Sequence, residues 1–361
     1  MEKSMNLRLP KDGEPIPERL LRSARTAGRR VAVIGGGTGL STLLLGLKEY
    51  TENITAIVTV TDDGGSSGKL RREFGILPPG DIRNCILALA DTNTMMNRLL
   101  SYRFPAGSLE GQNFGNLFLL ALNNICGSFE EAVASMNQIL AVTGKVLPVC
   151  TQNISLQATF ADGSCVTGET AITAAKKERD LDIRAIRLVP GDVQALPQAL
   201  EALEEAELIV LGPGSLYTSI IPNLLVGGVA DALRRSRAMR IYALNVMTQD
   251  GETEHYTAWD HARAILDHGG CMDVCLYNTR AISRRLADRY SAEGGEPIRM
   301  EPAAFERAGI RLFGGDMLSR SGSLARHDPL RLAYHVMLAA DTLSPRSGAL
   351  GDYDRLLLRR R

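Results

Sequence analysis

The chain has 361 residues, more than the usual domain of about 100–200 residues, so it holds two domains or one large α/β unit with an insertion. Apolar residues make up 45% and charged residues 23%, which is enough for a sizeable core and excludes a disordered or fibrous protein. Lysine plus arginine equals aspartate plus glutamate, 41 each, so no general attraction to nucleic acid or to an anionic membrane is expected.

The chain carries no targeting or redox signal. Its first residues lack the apolar core of a signal peptide, and no later stretch reaches the roughly 20 apolar residues of a membrane span. The six cysteines form no C-x-x-C pair, and Cys271 and Cys275 lie in an apolar run typical of a buried strand. We therefore expect a cytoplasmic protein with reduced thiols.

Both ends of the chain are basic. The basic character of residues 1–29 predicts a mobile arm or a short surface helix, and that of residues 346–361 predicts a solvated basic tail. Residues 30–345 are then a single α/β domain. Apolar, β-branched runs in this domain predict strands near 31–34, 54–60, 207–211, 240–246 and 272–277. Helical patterns between several of them favour a Rossmann-like, doubly wound, mainly parallel sheet.

Residues from about 146 to 190 follow a different pattern. Leu156, Ala158 and Phe160 alternate with polar residues, and Asp162-Gly163 supplies a two-residue turn. This pattern predicts an antiparallel hairpin insertion attached to the main sheet.

The first predicted strand ends in a glycine-rich turn that precedes a helical pattern of leucines. Such a turn exposes the N–H groups of a helix N-terminus and attracts an anion. Leu40 stands where the dinucleotide fingerprint needs a third glycine, so a tight turn that binds nothing is the alternative. The residues of this candidate phosphate-binding turn are Gly35, Gly36, Gly37, Thr38 and Gly39.

The second predicted strand also ends in a glycine-rich loop, which contains Asp62, Asp63, Gly64, Gly65 and Ser66. Carboxylates at this place accept hydrogen bonds from ribose hydroxyls, or they hold Mg²⁺ against phosphates. The alternative is that the aspartates only cap turns. The loop is not a P-loop, because the first glycine and the final Ser/Thr of that motif are replaced.

The segment from Pro78 to Asn84 predicts a helix with Asp81 as its N-cap and with Arg83 and Asn84 in its first turn. A cation at a helix N-terminus is unfavourable unless an anion accompanies it. Arg83 therefore either clamps a phosphate or pairs with Asp62, Asp63 or Asp81.

Two further segments precede predicted helices. Asn113 is an N-cap or a ligand contact in the segment that ends at Asn116. A later glycine turn follows the third predicted strand and predicts a second anion cradle of backbone amides and hydroxyls. Two such turns at one sheet edge suit a ligand with two polar ends. The residues of the later turn are Gly212, Pro213, Gly214, Ser215, Thr218 and Ser219.

The chain shows no hydrolase signature. His327-Asp328 predicts a capping turn before a helix from Pro329, and there is no G-x-S-x-G, no H-E-x-x-H and no metal-spaced cysteine set.

Taken in order, these segments resemble the gluconeogenesis factor (YvcK-like) family, whose superfamily includes 2-phospho-L-lactate transferase (CofD-like). The resemblance covers about residues 30–345 and departs from the family form at Gln112 and Asn113. The segments that carry it are Ile34–Ser41, Thr61–Gly68, Pro78–Asn84, Gly115–Leu117, Gly212–Ser219 and Arg326–Pro329.

The resemblance implies a Rossmann-like cytoplasmic regulator of carbon use and of cell-envelope or cell-shape homeostasis, which binds UDP-N-acetylglucosamine and needs no cofactor. The first glycine turn would hold a phosphate beside Arg83, Asp62 and Asp63 would hold sugar hydroxyls, and the later turn would hold the other end. A homo-oligomer and an unidentified regulatory protein partner are also expected. The alternatives are a phospholactyl-type transferase with Mg²⁺ at Asp62 and Asp63, and an NAD(P)-dependent oxidoreductase.

Overall fold

The computed structural model describes residues 16–92, 94–179, 181–292, 294–320 and 324–359. Two sheets with helices around them make up the fold, which confirms the predicted α/β class. The strands are β1 Val31–Gly35, β2 Ile54–Val58, β3 Lys145–Pro148, β4 Ser155–Phe160, β5 Cys165–Thr167, β6 Ile183–Val189, β7 Leu208–Leu211, β8 Met239–Ala243, β9 Val274–Asn278 and β10 Arg311–Gly315.

A π-helical turn, Leu216–Ile220, follows β7. The α-helices are α1 Glu18–Thr26, α2 Gly37–Leu47, α3 Gly65–Phe74, α4 Gly80–Leu89, α5 Thr94–Ser101, α6 Phe114–Cys126, α7 Phe129–Ile139, α8 Glu169–Arg179, α9 Pro197–Glu205, α10 Ile221–Leu224, α11 Val229–Arg235, α12 Ala258–Asp267, α13 Arg284–Ser291, α14 Pro302–Arg307, α15 Pro329–Leu343 and α16 Gly348–Leu358. Among the described residues no single helix is both long and apolar enough to cross a bilayer; the bent pair of α6 and α7 reaches that length only when the two are added together.

The main sheet has seven strands in the order β3-β2-β1-β7-β8-β9-β10, and every neighbouring pair is parallel. This is the Rossmann order, in which the strand sequence reverses between β1 and β7. The side chains of both strands are buried throughout, as expected for a parallel sheet covered on both faces. The crevice between the carboxyl ends of β1 and β7 is therefore where this fold binds ligands.

The predicted hairpin is present, with β4 and β5 antiparallel on either side of the Asp162-Gly163 turn. Strand β6 adds to β4 and completes a separate three-stranded sheet. The predicted start of the insertion at about 146 is wrong, because β3 pairs in parallel with β2 and is the edge strand of the main sheet.

The C-terminal segment is not a solvated tail. It forms α16, which buries Leu356 and Leu357 against the fold and packs on α1. Asp354 accepts from Arg29 Nε at 3.1 Å and from Arg346 Nη2 at 2.7 Å, and both partners are largely buried. At the other end of the chain, part of the predicted N-terminal arm forms helix α1. Residues 1–15 and 360–361 lie outside the described residues.

Candidate functional site

A cleft of about 700 Å³ opens at the carboxyl ends of β1 and β7. Four chain segments beyond the two glycine turns contribute to it: the loop after β8, helix α8 of the insertion, the end of α13 with the residues that follow it, and the segment before α15. The predicted residues that line it are Gly36, Gly37, Thr38, Gly39, Pro213, Gly214, Ser215 and Ser219.

The two glycine turns touch one another. A Cβ added to Gly39 would lie 2.5 Å from the carbonyl oxygen of Pro213 and 2.9 Å from the nitrogen of Gly214. A Cβ on Gly214 would lie 3.4 Å from the carbonyl oxygen of Gly36. Glycine is needed at position 39 because backbone faces backbone there. The prediction that both turns lie at neighbouring strand ends is therefore confirmed.

The first turn begins helix α2, with Gly36 as its N-cap and Gly37 in the left-handed region at φ 64°. The Asp81 carboxylate lies against this turn, since a Cβ added to Gly36 would lie 2.6 Å from Asp81 Oδ2. Burial, together with the nearby charge of Asp62, raises the pKa of Asp81 to about 7. The predicted role of Asp81 as an N-cap is wrong, since α4 begins at Gly80 after Pro79 and the Asp81 side chain lies against Gly36 of the first turn.

The second turn does not offer a free cradle of amides. The N–H groups of Leu216, Tyr217 and Thr218 donate to the carboxylate of Glu252 at 2.9–3.2 Å, and that carboxylate is 2% exposed. Burial raises the pKa of Glu252 to about 7, although these hydrogen bonds oppose the rise. The prediction of a second anion cradle is therefore wrong for these amides, because an internal carboxylate already occupies them.

Side chains of the loop after β8 hold the remainder of the second turn. Asn245 accepts from the amide of Gly214 and donates to its carbonyl oxygen, at 3.2 and 2.8 Å. The hydroxyl of Ser215 donates to Gln249 at 2.9 Å. These contacts fix the shape of one wall of the cleft.

The aspartate loop lies beside the cleft and not among its lining residues. Asp62 accepts from the amide of Gly64 at 2.9 Å. Asp63 accepts from the amide and the hydroxyl of Thr170, at 3.0 and 2.6 Å, and so caps helix α8. Asp63 thus takes the structural role that its alternative interpretation predicted, and Gly65 begins helix α3.

Arg83, Asn84, Asn116 and Ser66 form a second polar group beside Asp81. Arg83 donates to Asn84 Oδ1 at 2.6 Å, but its Nε and Nη1 atoms are buried and have no hydrogen-bond partner. Asn116 donates to Ser66 at 3.1 Å, and its buried Oδ1 also has no partner. Burial lowers the pKa of Arg83 to about 10. A buried guanidinium with two free donors is suited to an anion.

Several cleft residues escaped the sequence analysis. Asn245, Gln249 and Asp250 follow the carboxyl end of β8, a position that could have identified them. Asp328 is the predicted cap of α15, and the adjacent His327 lines the cleft with a buried Nε2 that has no partner. Burial lowers the pKa of His327 to about 4, so the ring is neutral at physiological pH.

Within the described ranges, no group of three or more His, Cys, Asp or Glu side chains is arranged to hold a metal ion. Asp62 and Asp63, the pair predicted to hold Mg²⁺, do not act together, because Asp63 caps α8. Asp81 lies against the first turn, and the charge of Asp62 acts on Asp81.

The sheet order and the position of the cleft define the class: a doubly wound α/β protein with its binding crevice at the point where strand order reverses. Residues 31–318 match the profile of the family described as 2-phospho-L-lactate transferase CofD. The chain belongs to this CofD family, in the group whose members are named gluconeogenesis factors.

Similar proteins match over most of their length. A protein of Thermoanaerobacterium thermosulfurigenes named "Putative gluconeogenesis factor" is 49% identical over 311 residues, which cover 86% of this chain and 96% of that protein. The gluconeogenesis factor of Bacillus subtilis is 42% identical over 307 residues, 84% of this chain and 96% of that one. The crystal structure of a UPF0052 family member from Bacillus halodurans superposes with a TM-score of 0.82 at 41% identity, covering 86% of this chain and 99% of that one.

Proposed function

We propose that the cleft binds a nucleotide sugar, with UDP-N-acetylglucosamine as the expected ligand, and that the protein acts as a regulator. The observation that carries this proposal is the contact between the two glycine turns across the β1/β7 crevice. The cleft volume of about 700 Å³ lies within the range of about 300–1,000 Å³ typical of small-molecule sites.

The N-terminus of α2 is the phosphate-binding element of this proposal. First-turn amides of a helix have no intrahelical partner, and those of Thr38 and Gly39 belong to a helix that begins in the cleft. The amide of Gly37 faces the Asp81 carboxylate and lowers its pKa. An anion that binds there competes with a carboxylate, so protonation of Asp81 favours binding, and its pKa of about 7 makes that protonation accessible.

The regulatory role in carbon use is supported by the names of the relatives, and the role in cell shape rests on the resemblance alone. Both roles are tested in a deletion strain grown on a gluconeogenic carbon source. The intact gene restores growth and cell shape, and a gene with a Gly39→Ala substitution restores neither.

A phosphorus-group transferase is the second candidate, supported by the description of the matched family. In this case Asp62 and Asp81 would be the residues to hold Mg²⁺, which uses one or two carboxylates plus substrate phosphates. An NAD(P)-dependent oxidoreductase is a weaker candidate, because Leu40 replaces the third glycine of the fingerprint.

Thermal unfolding in the presence of ligands separates these candidates. A ligand at about 100 times its dissociation constant adds about 2.7 kcal/mol to the free energy of unfolding. Stabilisation by UDP-N-acetylglucosamine without added metal supports the regulator. Stabilisation that needs both Mg²⁺ and a deazaflavin supports the transferase, and stabilisation by NADP alone supports the oxidoreductase. No response to any UDP-sugar would contradict the leading proposal.

A further inference from the structure

One side chain from the insertion reaches across to the cleft of the main domain. Lys177, on helix α8, lines the cleft together with Asp250 of the loop after β8, and Lys177 Nζ lies 2.5 Å from Asp250 Oδ2. Among the described cleft residues the only lysine or arginine other than Lys177 is Arg326. Lys177 is thus a cation that the insertion supplies to a crevice otherwise built by the main sheet.

The backbone around this pair leaves room for both side chains. Gly251 and Gly294 each have φ 78°, in the left-handed region. A Cβ on Gly251 would lie 2.8 Å from Lys177 Cε, and a Cβ on Gly294 would lie 2.8 Å from Asp250 Oδ1. Each charged side chain therefore packs directly over a glycine, which fixes the position of the pair at the cleft wall.

The pair is not needed to hold helix α8 in place. The N-terminus of α8 is capped by Asp63, and the neighbouring Lys176, which is 2% exposed, lies 3.3 Å from Glu254. The side chains of Lys177 and Asp250 are 49% and 37% exposed, and an ion pair at that exposure contributes at most about 1 kcal/mol. A phosphate group with more than one negative charge competes well for such a lysine.

We propose that Lys177 is a phosphate-contacting residue of the cleft and that Asp250 is its internal competitor, displaced when the anionic group of the ligand binds. This inference rests on the proposed binding of a phosphorylated ligand in this cleft. Asp250 then sets a minimum negative charge that a ligand needs in order to bind Lys177. Neutral or weakly charged molecules leave the ion pair intact, whereas a diphosphate displaces Asp250 from Lys177. The pair discriminates by ligand charge.

Isothermal titration of the full chain with UDP-N-acetylglucosamine, inorganic pyrophosphate and uridine tests the inference. Lys177→Met keeps the stem on Gly251 and removes the charge; we expect about tenfold weaker binding of both phosphorylated probes. Asp250→Asn removes the competitor, and we expect binding of the same probes to tighten up to about fivefold. Uridine binding does not change in either variant. The matched control is Lys145→Met, at an exposed lysine on β3 at the amino end of the sheet.

We expect Lys177→Met to weaken phosphate binding and Asp250→Asn to strengthen it, and a merely structural role of the pair does not produce these opposite effects. If the pair only held the cleft wall together, both variants would weaken binding, and that outcome overturns the inference. Failure of pyrophosphate to bind the intact protein also overturns it. If pyrophosphate shows the opposite signs while UDP-N-acetylglucosamine does not bind, the role of Lys177 stands and the nucleotide-sugar proposal fails.

Discussion

Substitution of Gly39 by alanine tests the contact between the two glycine turns. The added Cβ would lie 2.5 Å from the Pro213 oxygen, and the obstructing atoms are backbone, which cannot rotate away. Overpacking of this kind costs about 3 kcal/mol, and the gain in helix propensity within α2 returns up to about 1 kcal/mol. The free energy of unfolding therefore falls by about 2 kcal/mol. At about 2 °C per kcal/mol for a large domain, the melting temperature falls by roughly 4 °C.

The matched control is Gly35→Ala, at the last residue of β1, where the first turn begins, and outside the cleft lining. The three atoms nearest to its added Cβ all belong to the Leu40 side chain, the first at 3.6 Å, which is ordinary contact. Differential scanning calorimetry of both variants, followed by titration with UDP-N-acetylglucosamine, measures the two effects. We expect Gly35→Ala to melt within about 1 °C of the parent chain and to bind normally. Equal melting temperatures for the two variants would refute the reasoning.

Three further predictions concern buried charges. Arg83→Met leaves the free energy of unfolding within about 1 kcal/mol, because only one guanidinium nitrogen, Nη2, has a hydrogen bond to lose. Arg83 does not line the cleft, so a ligand anion that extends to it is tested by the same variant: we expect a smaller melting-temperature rise with a phosphorylated ligand. The pKa of Glu252 rises from 4.5 to about 7 on folding, so the folded protein holds this proton more tightly than the unfolded chain does. The free energy of unfolding therefore falls by up to about 3 kcal/mol as the pH rises from 4.5 to 7. Urea unfolding from pH 4.5 to 8 measures this dependence on pH, which we expect to be absent in Glu252→Gln. Asp354→Ala leaves Arg29 and Arg346 without their buried partner and costs about 3–5 kcal/mol in urea unfolding, while ligand binding at the opposite sheet edge is unchanged.

Local sequence patterns determined the elements that later proved to carry the site. The apolar runs that predicted β1, β2, β7, β8 and β9 are buried strands, because a strand covered on both faces must be apolar throughout. Glycines after β1 and β7 identified both turns, since a close approach of backbones and a positive φ leave little choice of residue. The alternation around Leu156 identified the hairpin in the same way.

Edge strands and termini were decided by tertiary packing. Strand β3 is four residues long and ends in Pro148, and β10 is partly exposed, so neither has the continuous apolar run of a central strand. Helix α16 ends near a run of arginines, which suggested a solvated tail. Leu356 and Leu357 are nevertheless buried, because α1 and α15 provide a surface that no local pattern reveals.

The electrostatics of the site were decided only by the three-dimensional fold. Glu252 lies 34 or more residues from the amides that it accepts from, and Lys177 lies 73 residues before Asp250. Sequence spacing identifies which amides a glycine turn exposes, because that depends on backbone conformation alone. Which charge then occupies those amides depends on which distant segments the folded chain brings beside them, and no local rule contains that information.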